Sequence, residues 1–409
     1  MTTLLFRKKR NLKTLYIREY QNIGKLLYSK GVIIGVTYYP FIGYPMNWKE
    51  WEEYNEGFAV HPLLGEYVIS DPTVIAKHID WATGHGVNCF FLAWGSEDPS
   101  FQNRVMSNIK KFISQSISHQ ILIAIQYEGI PGKLINVKER EGQFTLEDSS
   151  QWAEVINDFI FLHESGIYDL PNYLRIDNKP VIYLGAASEL EGKVGEFVNE
   201  LNSIRPLFLV GDHAHPWTAT SAYTIDNSGG WIEECDKTGE CDLIEYAKCF
   251  DGWTVWAAGW YAPIKEPLNM NYPKFLNEGY RVWRKLADKY GKMFVPSVIP
   301  GFMNVREIQE GIPHLPRDPE MFKEELKIAI TMANTLKGKK LIKIDSWNDF
   351  GEGHCIEPTK EEKLNFLKML REVLLEKTLI HNLSKEINKE SSSTLCRQVL
   401  KREKQYSLR

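Results

Sequence analysis

The sequence predicts an α/β fold, a single (β/α)8 TIM barrel over residues 31–376 with basic N- and C-terminal extensions. Eight short apolar or aromatic runs recur along this segment, and a longer amphipathic stretch follows each of them. Runs that are apolar at nearly every position belong to strands buried on both faces, which favours parallel pairing. Eight such strand–helix units in one segment fit a closed barrel.

Each element has its own signal in the sequence. The predicted strands are the runs 32–39, 87–94, 121–127, 180–185, 206–212, 252–258, 293–300 and 340–347. The helix predicted at 71–86 has Asp71 as a candidate N-cap and Pro72 at its first position. The other predicted helices are 102–116, 149–166, 188–203, 241–249, 272–291, 318–338 and 360–377. The alternative is a doubly wound sheet with a second domain, but no G-x-G-x-x-G motif follows the first strand.

Charge is distributed unevenly along the 409 residues, whose formal net charge is −4. Residues 1–30 carry +7 and residues 377–409 carry +5, so the body between them carries −16. An acidic body is a poor platform for nucleic acid, because phosphate binding needs a basic face on the folded domain. We therefore expect the two basic ends to be appendages, a solvated helix and a polar tail, with at most weak contact to anionic surfaces.

The compartment predicted from the sequence is the cytoplasm. No stretch approaches ~18 consecutive apolar residues, so no transmembrane segment is expected, and the N-terminus shows no secretory signal. The six cysteines form no C-x-x-C pair, which argues against a zinc cluster. Cys235 and Cys241 could bridge the loop between them, but a reducing compartment favours free thiols.

The candidate binding residues lie where the predicted strands end, because barrel active sites form at the C-terminal ends of the strands. The long segments 41–70, 128–148 and 213–240 follow three of these ends and are typical of functional loops. The candidate substrate-binding residues are Tyr38, Tyr39, Trp94, Glu128, Asp212, His213, Trp256 and Asn348. Core packing explains any single aromatic residue equally well. However, most of the twelve Trp lie at or just after strand ends, and aromatic rings beside carboxylates suit a carbohydrate.

Asp349 and Glu352 after the eighth strand are the candidate catalytic residues. They lie three residues apart with glycines interleaved, so both carboxylates can face the same space. Two carboxylates held together separate their pKa values, which supplies a proton donor and a base for glycosidic cleavage. The alternative is a solvated acidic loop. His354 and Glu357 could support the pair or be ordinary loop residues.

We expect no cofactor and no metal. Asp212, His213 and His215 form a spacing that could bind a metal ion, but contacts to a sugar are the simpler interpretation.

The segment WNDFGEGHCIEP (347–358) resembles the W-N-E-W-x-E-G-x-x-I-E-P signature of glycoside hydrolase family 99 and the related WbsX-like proteins of polysaccharide gene clusters. YYP, AWG and YE at the ends of the first three strands are similar to other landmarks of that group, so the resemblance spans roughly residues 32–376. It implies a (β/α)8 barrel and a retaining, endo-acting enzyme on α-mannose linkages, in which the substrate 2-hydroxyl takes part.

The resemblance also implies roles for individual residues. Asp349 corresponds to the base that acts on the 2-hydroxyl and Glu352 to the acid/base, while Glu128 matches a carboxylate that contacts the sugar. Tyr39, Trp94 and Asn348 match substrate-contacting positions.

One departure from the family pattern concerns Asp349, where the family usually has Glu. The shorter side chain reaches about an ångström less, and such a displacement can cost on the order of a hundredfold in rate. Three hypotheses therefore remain: an endo-glycosidase, a WbsX-like glycosyltransferase or transglycosylase, and a glycan-binding barrel without catalysis. A sugar-nucleotide enzyme that depends on metal has no clear D-x-D motif in its favour.

Overall fold

The structure, a computed structural model, describes residues 19–43, 46–134, 139–140, 143–221, 230–239, 241–256, 268–312 and 314–376. The predicted C-terminal tail, residues 377–409, and most of the N-terminal extension lie outside the described residues. The domain boundaries at residues 30 and 376 stay predictions.

Thirteen strands are present in the described part of the chain. They are β1 (Val32–Tyr38), β2 (Cys89–Trp94), β3 (Leu122–Tyr127), β4 (Glu139–Arg140), β5 (Gln143–Leu146), β6 (Arg175–Ile176), β7 (Lys179–Leu184), β8 (Leu190–Gly192), β9 (Phe208–Asp212), β10 (Gly252–Thr254), β11 (Met293–Phe294), β12 (Ser297–Val298) and β13 (Lys340–Ile344).

Fourteen α-helices accompany these strands within the same described ranges. They are α1 (Ile23–Ser29), α2 (Trp48–Tyr54), α3 (Pro72–Gly84), α4 (Pro99–His119), α5 (Ile130–Lys133), α6 (Ala153–Glu164), α7 (Val194–Ile204), α8 (Pro216–Ala219), α9 (Ile232–Thr238), α10 (Leu243–Lys248), α11 (Leu268–Tyr290), α12 (Val305–Gln309), α13 (Pro319–Met332) and α14 (Asn365–Leu375). Two 3₁₀ helices span Ile167–Asp169 and Ala187–Glu189.

The main sheet is a ring of parallel strands in the order β11-β10-β9-β7-β3-β2-β1-β13-β12. Its two ends, β11 and β12, are pieces of one strand interrupted at residues 295–296. Val295 N–H donates to the Trp253 carbonyl at 2.8 Å on one side, and Asp345 N–H donates to the Val298 carbonyl at 3.0 Å on the other. β11 and β12 together therefore form the seventh strand of the barrel, between β10, the sixth, and β13, the eighth. The predicted (β/α)8 barrel is confirmed.

The strands and helices follow the predicted pattern, except that residues 190–192 within the predicted helix 188–203 form β8. All seven residues of β1 are buried, as expected for a strand covered on both faces. Helix α3 begins at Pro72 behind Asp71, whose carboxylate accepts the Thr73 N–H at 2.7 Å. The predicted N-cap of the first barrel helix is therefore present.

Smaller elements decorate the barrel. Helix α1 buries Ile23 and Leu27 beside β1, and Asn88 donates an amide hydrogen to the Gly24 carbonyl at 3.0 Å. Residues 23–29 of the predicted basic extension thus pack on the barrel. Strands β4, β5 and β8 form a separate small sheet, and β6 pairs antiparallel with β7.

Cys235 and Cys241 form a disulfide whose Cα atoms lie 5.3 Å apart, although the sequence favoured free thiols. Helix α9 carries the first cysteine and ends before Gly239, so the chain turns back within a few residues and brings the second cysteine near the first. Among the described residues, none of the helices is both long and apolar enough to span a bilayer.

Candidate functional site

Asp349 and Glu352 lie in a tight turn directly after β13. Asp349 N–H donates to the Ser346 hydroxyl at 3.0 Å, and Glu352 N–H donates to Asp349 Oδ1 at 2.9 Å. Gly353 has a φ of +65°, and a Cβ there would lie 2.9 Å from the Met303 carbonyl oxygen. The turn therefore needs glycine, and the Glu352 N–H fixes the direction of the Asp349 carboxylate.

His354 lies between the two carboxylates and is fully buried. Its Nε2 is 2.9 Å from Glu352 Oε2 and 3.7 Å from Asp349 Oδ2. Phe302 stacks on the imidazole with centroids 5.8 Å apart, and the Trp256 ring meets it edge-on at 6.0 Å. The side chains of Asp349 and Glu352 keep 14% and 30% of their surface exposed, so both reach the open mouth of the barrel.

Burial and charge change the proton affinity of this cluster. Burial raises the pKa of Glu352, and the negative charge of Asp349 raises it further, while the hydrogen bond from His354 opposes the shift. Burial disfavours the charged form of His354, yet the hydrogen bond to Glu352 and the nearby carboxylates give it a raised pKa. Glu352 is therefore suited to hold a proton that it can donate.

Tyr39 and Asn348 join the end of β1 to the turn that carries Asp349 and Glu352. Asn348 accepts the Tyr39 N–H at 2.9 Å and donates to the Tyr39 carbonyl at 3.0 Å. The phenol oxygen of Tyr39 is 3.5 Å from the Trp256 indole nitrogen. Burial raises the pKa of Tyr39, and so do the charges of Glu128, Asp349 and Glu352. The phenol is thus surrounded by the predicted carboxylates.

Glu128 and Asp212 supply two further carboxylates from the ends of β3 and β9. Asp212 Oδ1 accepts the Trp256 N–H at 2.8 Å, and burial raises the pKa of Asp212 to about 7. Burial also raises the pKa of Glu128, although a hydrogen bond from the Gln126 amide opposes the shift. A Cβ at Gly185 would lie 2.7 Å from Glu128 Oε2, so glycine leaves the room that this carboxylate occupies.

Tyr38 and Trp94, two predicted binding residues, are not brought together with this cluster. The Tyr38 hydroxyl is 3.2 Å from His78 Nδ1 on helix α3. Trp94 donates to the Gln102 carbonyl at 3.3 Å and stacks on Phe161 of α6 with centroids 5.7 Å apart. Successive strand residues point to opposite faces, and both side chains fall on the helix side of the barrel wall.

His213 also lies apart from the carboxylates. It packs edge-on against Phe250 at 4.7 Å, and burial lowers its pKa to about 3. His215 instead is 3.9 Å from Asp212 and 3.0 Å from the Ser188 hydroxyl. The candidate metal group Asp212, His213 and His215 therefore does not converge on one point, and contact of Asp212 with a sugar stays a prediction.

A polar network beneath the site was missed in the sequence. Lys343 and Asp345 form an ion pair inside the barrel, both fully buried. Ser297 donates to Asp345 at 2.6 Å, and the Thr37 hydroxyl lies 2.7 Å from Asp345 and 2.8 Å from the Gln126 oxygen. Burial opposes ionisation of Asp345, but Lys343 holds its pKa below the ordinary value. Polar residues at alternate positions of otherwise apolar strands were the available signal.

Asp349, Glu352 and His354 form a group of described residues that could hold a metal ion, with one ligand atom of each within 4.8 Å of the others. A metal-bound histidine almost always donates its other ring N–H to an acceptor. His354 Nδ1 has no hydrogen-bond partner among the described residues. We therefore assign no metal to this group.

Arg317 holds the turn of Asp349 and Glu352 from the outside. It donates to the Gly353 carbonyl at 2.6 Å and to the Cys355 carbonyl at 3.0 Å, and it pairs with Glu362 at 2.5 Å. Only 3% of its side chain is exposed. Arg317 was also missed, because it lies about thirty residues before the turn in a segment without a local motif.

Replacing Arg317 by Met is expected to lower the free energy of unfolding by about 1.5–3 kcal/mol, because hydrogen bonds to a charged group are lost. Urea unfolding at neutral pH measures this change. Arg306→Met is the matched control, since its pair with Glu310 is 46% and 55% exposed and should contribute far less to stability. Equal effects of the two substitutions would contradict the role of Arg317.

A parallel (β/α)8 barrel with a carboxylate pair at the C-terminal end of its last strand defines a glycoside-hydrolase-like barrel. The chain belongs to the family described as glycosyltransferase WbsX, whose model matches residues 148–370. No curated protein matches the chain.

Solved structures show the same fold. A glycoside hydrolase-like protein is 15% identical with a TM-score of 0.60, over 83% of this chain and 93% of its own. The GH99 endo-alpha-mannosidase from Bacteroides thetaiotaomicron is similar in two structures. In complex with Bis-Tris propane it is 17% identical with a TM-score of 0.57, over 84% of this chain and 96% of its own. The other is 18% identical with a TM-score of 0.55, over 83% and 96%.

Proposed function

We propose that this protein is a retaining glycoside hydrolase that cleaves α-mannose-like linkages within a glycan or polysaccharide. The observation that carries the proposal is the Asp349–Glu352 pair, whose carboxylates lie within 4.8 Å of each other at the mouth of the barrel. Glycosidic cleavage needs a proton donor and a base on one bond. The resemblance of the turn to the family 99 signature, and the likeness of the fold to an endo-α-mannosidase, support the choice of linkage.

The proposed reaction has two steps. In the first, Glu352 gives its proton to the glycosidic oxygen as the C1–O bond breaks, while Asp349 takes the proton of the sugar 2-hydroxyl. The freed 2-oxygen closes on C1 and forms a 1,2-anhydro sugar. In the second step, the Glu352 carboxylate removes a proton from water, which attacks C1, and the 2-oxygen recovers its proton from Asp349. Two inversions at C1 give net retention.

The surrounding residues suit a neutral sugar. Trp256 and Tyr39 offer aromatic surface, and Glu128 and Asp212 offer carboxylates that accept hydrogen bonds from hydroxyl groups. A sugar carrying negative charge would meet several carboxylates at once. We therefore expect neutral mannose-type chains to be preferred over acidic ones.

Transfer is the second candidate, favoured by the description of the family as a glycosyltransferase. The same chemistry transfers a sugar when an acceptor hydroxyl replaces water. Incubation with α-mannans and capsule-type glycans, with and without sugar nucleotides, separates the candidates. Cleavage without a nucleotide supports hydrolysis, whereas turnover only with a sugar nucleotide overturns it. Glycan binding by the wild type without any turnover favours a non-catalytic barrel.

The pH profile gives a separate prediction. Because Glu352 acts as an acid with a raised pKa, kcat/KM should fall as pH rises through that pKa, at a higher pH than for an exposed glutamate. The fall of kcat/KM at high pH is the basic limb of the profile. The charge of Glu307 also raises the pKa of Glu352, so Glu307→Gln should move this basic limb to lower pH. Glu310→Gln, at an exposed position nearby, should leave the limb in place. A limb unaffected by Glu307→Gln would contradict this account.

A further inference from the structure

His354 is hydrogen-bonded to Glu352 through a nitrogen that also lies close to Asp349. Its Nε2 lies 2.9 Å from Glu352 and 3.7 Å from Asp349, while Nδ1 has no hydrogen-bond partner among the described residues. The ring cannot swing away, because Phe302 stacks on one face of it and Trp256 meets it edge-on. This geometry places the proton of the neutral ring on Nε2, where an acceptor is available.

The contact of His354 with Asp349 matters because the Asp349 side chain is shorter than the Glu that is usual in the family. Asp349 Oδ1 accepts the Glu352 N–H at 2.9 Å, and Oδ2 is the oxygen that lies 3.7 Å from His354 Nε2. The family 99 signature leaves the residue at position 354 open, so His354 is a feature of this chain rather than of the motif.

We propose that His354 is a positioning residue that aims the Glu352 carboxylate and joins it to Asp349, so that the two acids act as one unit. This inference rests on the proposed acid/base role of Glu352. When Glu352 loses its proton to the glycosidic oxygen, His354 keeps its Nε2–H and donates it to the new carboxylate. Without that donor, two unscreened carboxylates would face each other, which disfavours proton release.

The charged groups that act on His354 belong to the catalytic turn and to the strand before it. Asp349, Glu352 and Asp345 each raise its proton affinity, whereas Phe302 and Trp256 contribute only apolar surface and burial. His354 and Glu352 are therefore expected to titrate as a linked pair.

Two substitutions separate a hydrogen-bonding role from a space-filling one. His354→Gln retains a side-chain N–H, and His354→Leu retains volume without a donor. We expect His354→Leu to lower kcat about 10–100-fold with little change in KM, as expected for the loss of a charge-assisted hydrogen bond, and His354→Gln to recover much of that loss. The basic limb of the pH profile should move to higher pH in His354→Leu, because the lost bond had lowered the pKa of Glu352.

Unfolding midpoints of both variants show whether the protein still folds. His61→Leu is the matched control, since His61 pairs with Glu361 at 3.0 Å on the surface and should change neither kcat nor the limb. Equal losses in His354→Gln and His354→Leu with an unmoved limb would overturn the proposal.

A second measurement does not depend on activity. Nuclear magnetic resonance of protein with labelled histidine should show a raised pKa for the His354 imidazole. This pKa should fall in Glu352→Gln, because the charged acceptor is removed. An unchanged titration would overturn the proposed link. If the wild type cleaves no glycan while this coupling is observed, the proposed function fails and the link between His354 and Glu352 stands.

Discussion

Replacing Glu352 by Gln is expected to lower the rate of glycan cleavage by about 10²–10⁴-fold, the usual contribution of a general acid. The amide has nearly the shape of the carboxyl group but cannot donate a proton to the leaving oxygen. The Gln amide oxygen can still accept the hydrogen bond from His354, so the protein should fold normally. The release of new reducing ends from an α-mannan measures the rate.

The same variant separates catalysis from binding. Because Glu128, Asp212 and Trp256 still line the mouth, the affinity of Glu352→Gln for a mannan oligosaccharide should stay within about threefold of wild type by calorimetry. A substrate with an activated leaving group, such as an aryl glycoside, should recover part of the lost rate, since it leaves without a proton. A variant that retained more than half of the wild-type rate on mannan would exclude Glu352 as the acid.

Replacing Lys343 by Met is expected to lower the free energy of unfolding by about 3–5 kcal/mol, since it leaves the buried Asp345 carboxylate without its cation. Both side chains are buried, at 1% and 0% exposure, so solvent cannot compensate for the lost partner. The ammonium group also lies 4.3 Å from the centre of the Tyr183 ring. Denaturant unfolding at neutral pH measures the loss.

The pH dependence of stability follows from the lowered pKa of Asp345. Its contribution in the wild type is complete above the unfolded pKa of about 3.9 and is lost as pH falls through the lower folded pKa. In Lys343→Met the folded pKa should instead rise, so stability should fall as pH rises toward neutrality. The double variant Lys343→Met with Asp345→Asn should recover much of the loss. If Lys343→Met alone were as stable as wild type, it would contradict the claim that Lys343 and Asp345 form a stabilising buried pair.

The barrel could be predicted because its signal is repeated in every unit. Apolar runs such as 32–39 and 87–94 could be recognised without knowing the partners of each strand. The structure shows one irregularity that this pattern does not reveal, the interruption between β11 and β12. Predicting this interruption would require knowing how the seventh strand pairs with β10 on one side and with β13 on the other.

The candidate site could be predicted only in part. Asp349 and Glu352 were found because both follow the last strand, and Tyr39 was found because it follows the first. Tyr38 and Trp94 are the last residues of their strands, where the face of each side chain depends on register against the helices.

Contacts between segments distant in the chain could not be predicted from local pattern. The network of Thr37, Ser297 and Asp345 depends on the order of strands around the barrel. The contact of Arg317 with the carbonyl groups of Gly353 and Cys355 depends on how the loop before α13 folds over that turn. The polar residues of the strands can be seen in the sequence, but a single sequence does not show which distant segments they contact.

The most direct test of the proposed mechanism is time-resolved proton magnetic resonance of an α-mannan oligosaccharide during cleavage by the wild type without sugar nucleotides. The proposed use of Asp349, Glu352 and the substrate 2-hydroxyl predicts internal cleavage in which the α-anomer of the new reducing end appears first. The β-anomer appearing first, or no cleavage until a sugar nucleotide is added, would contradict it.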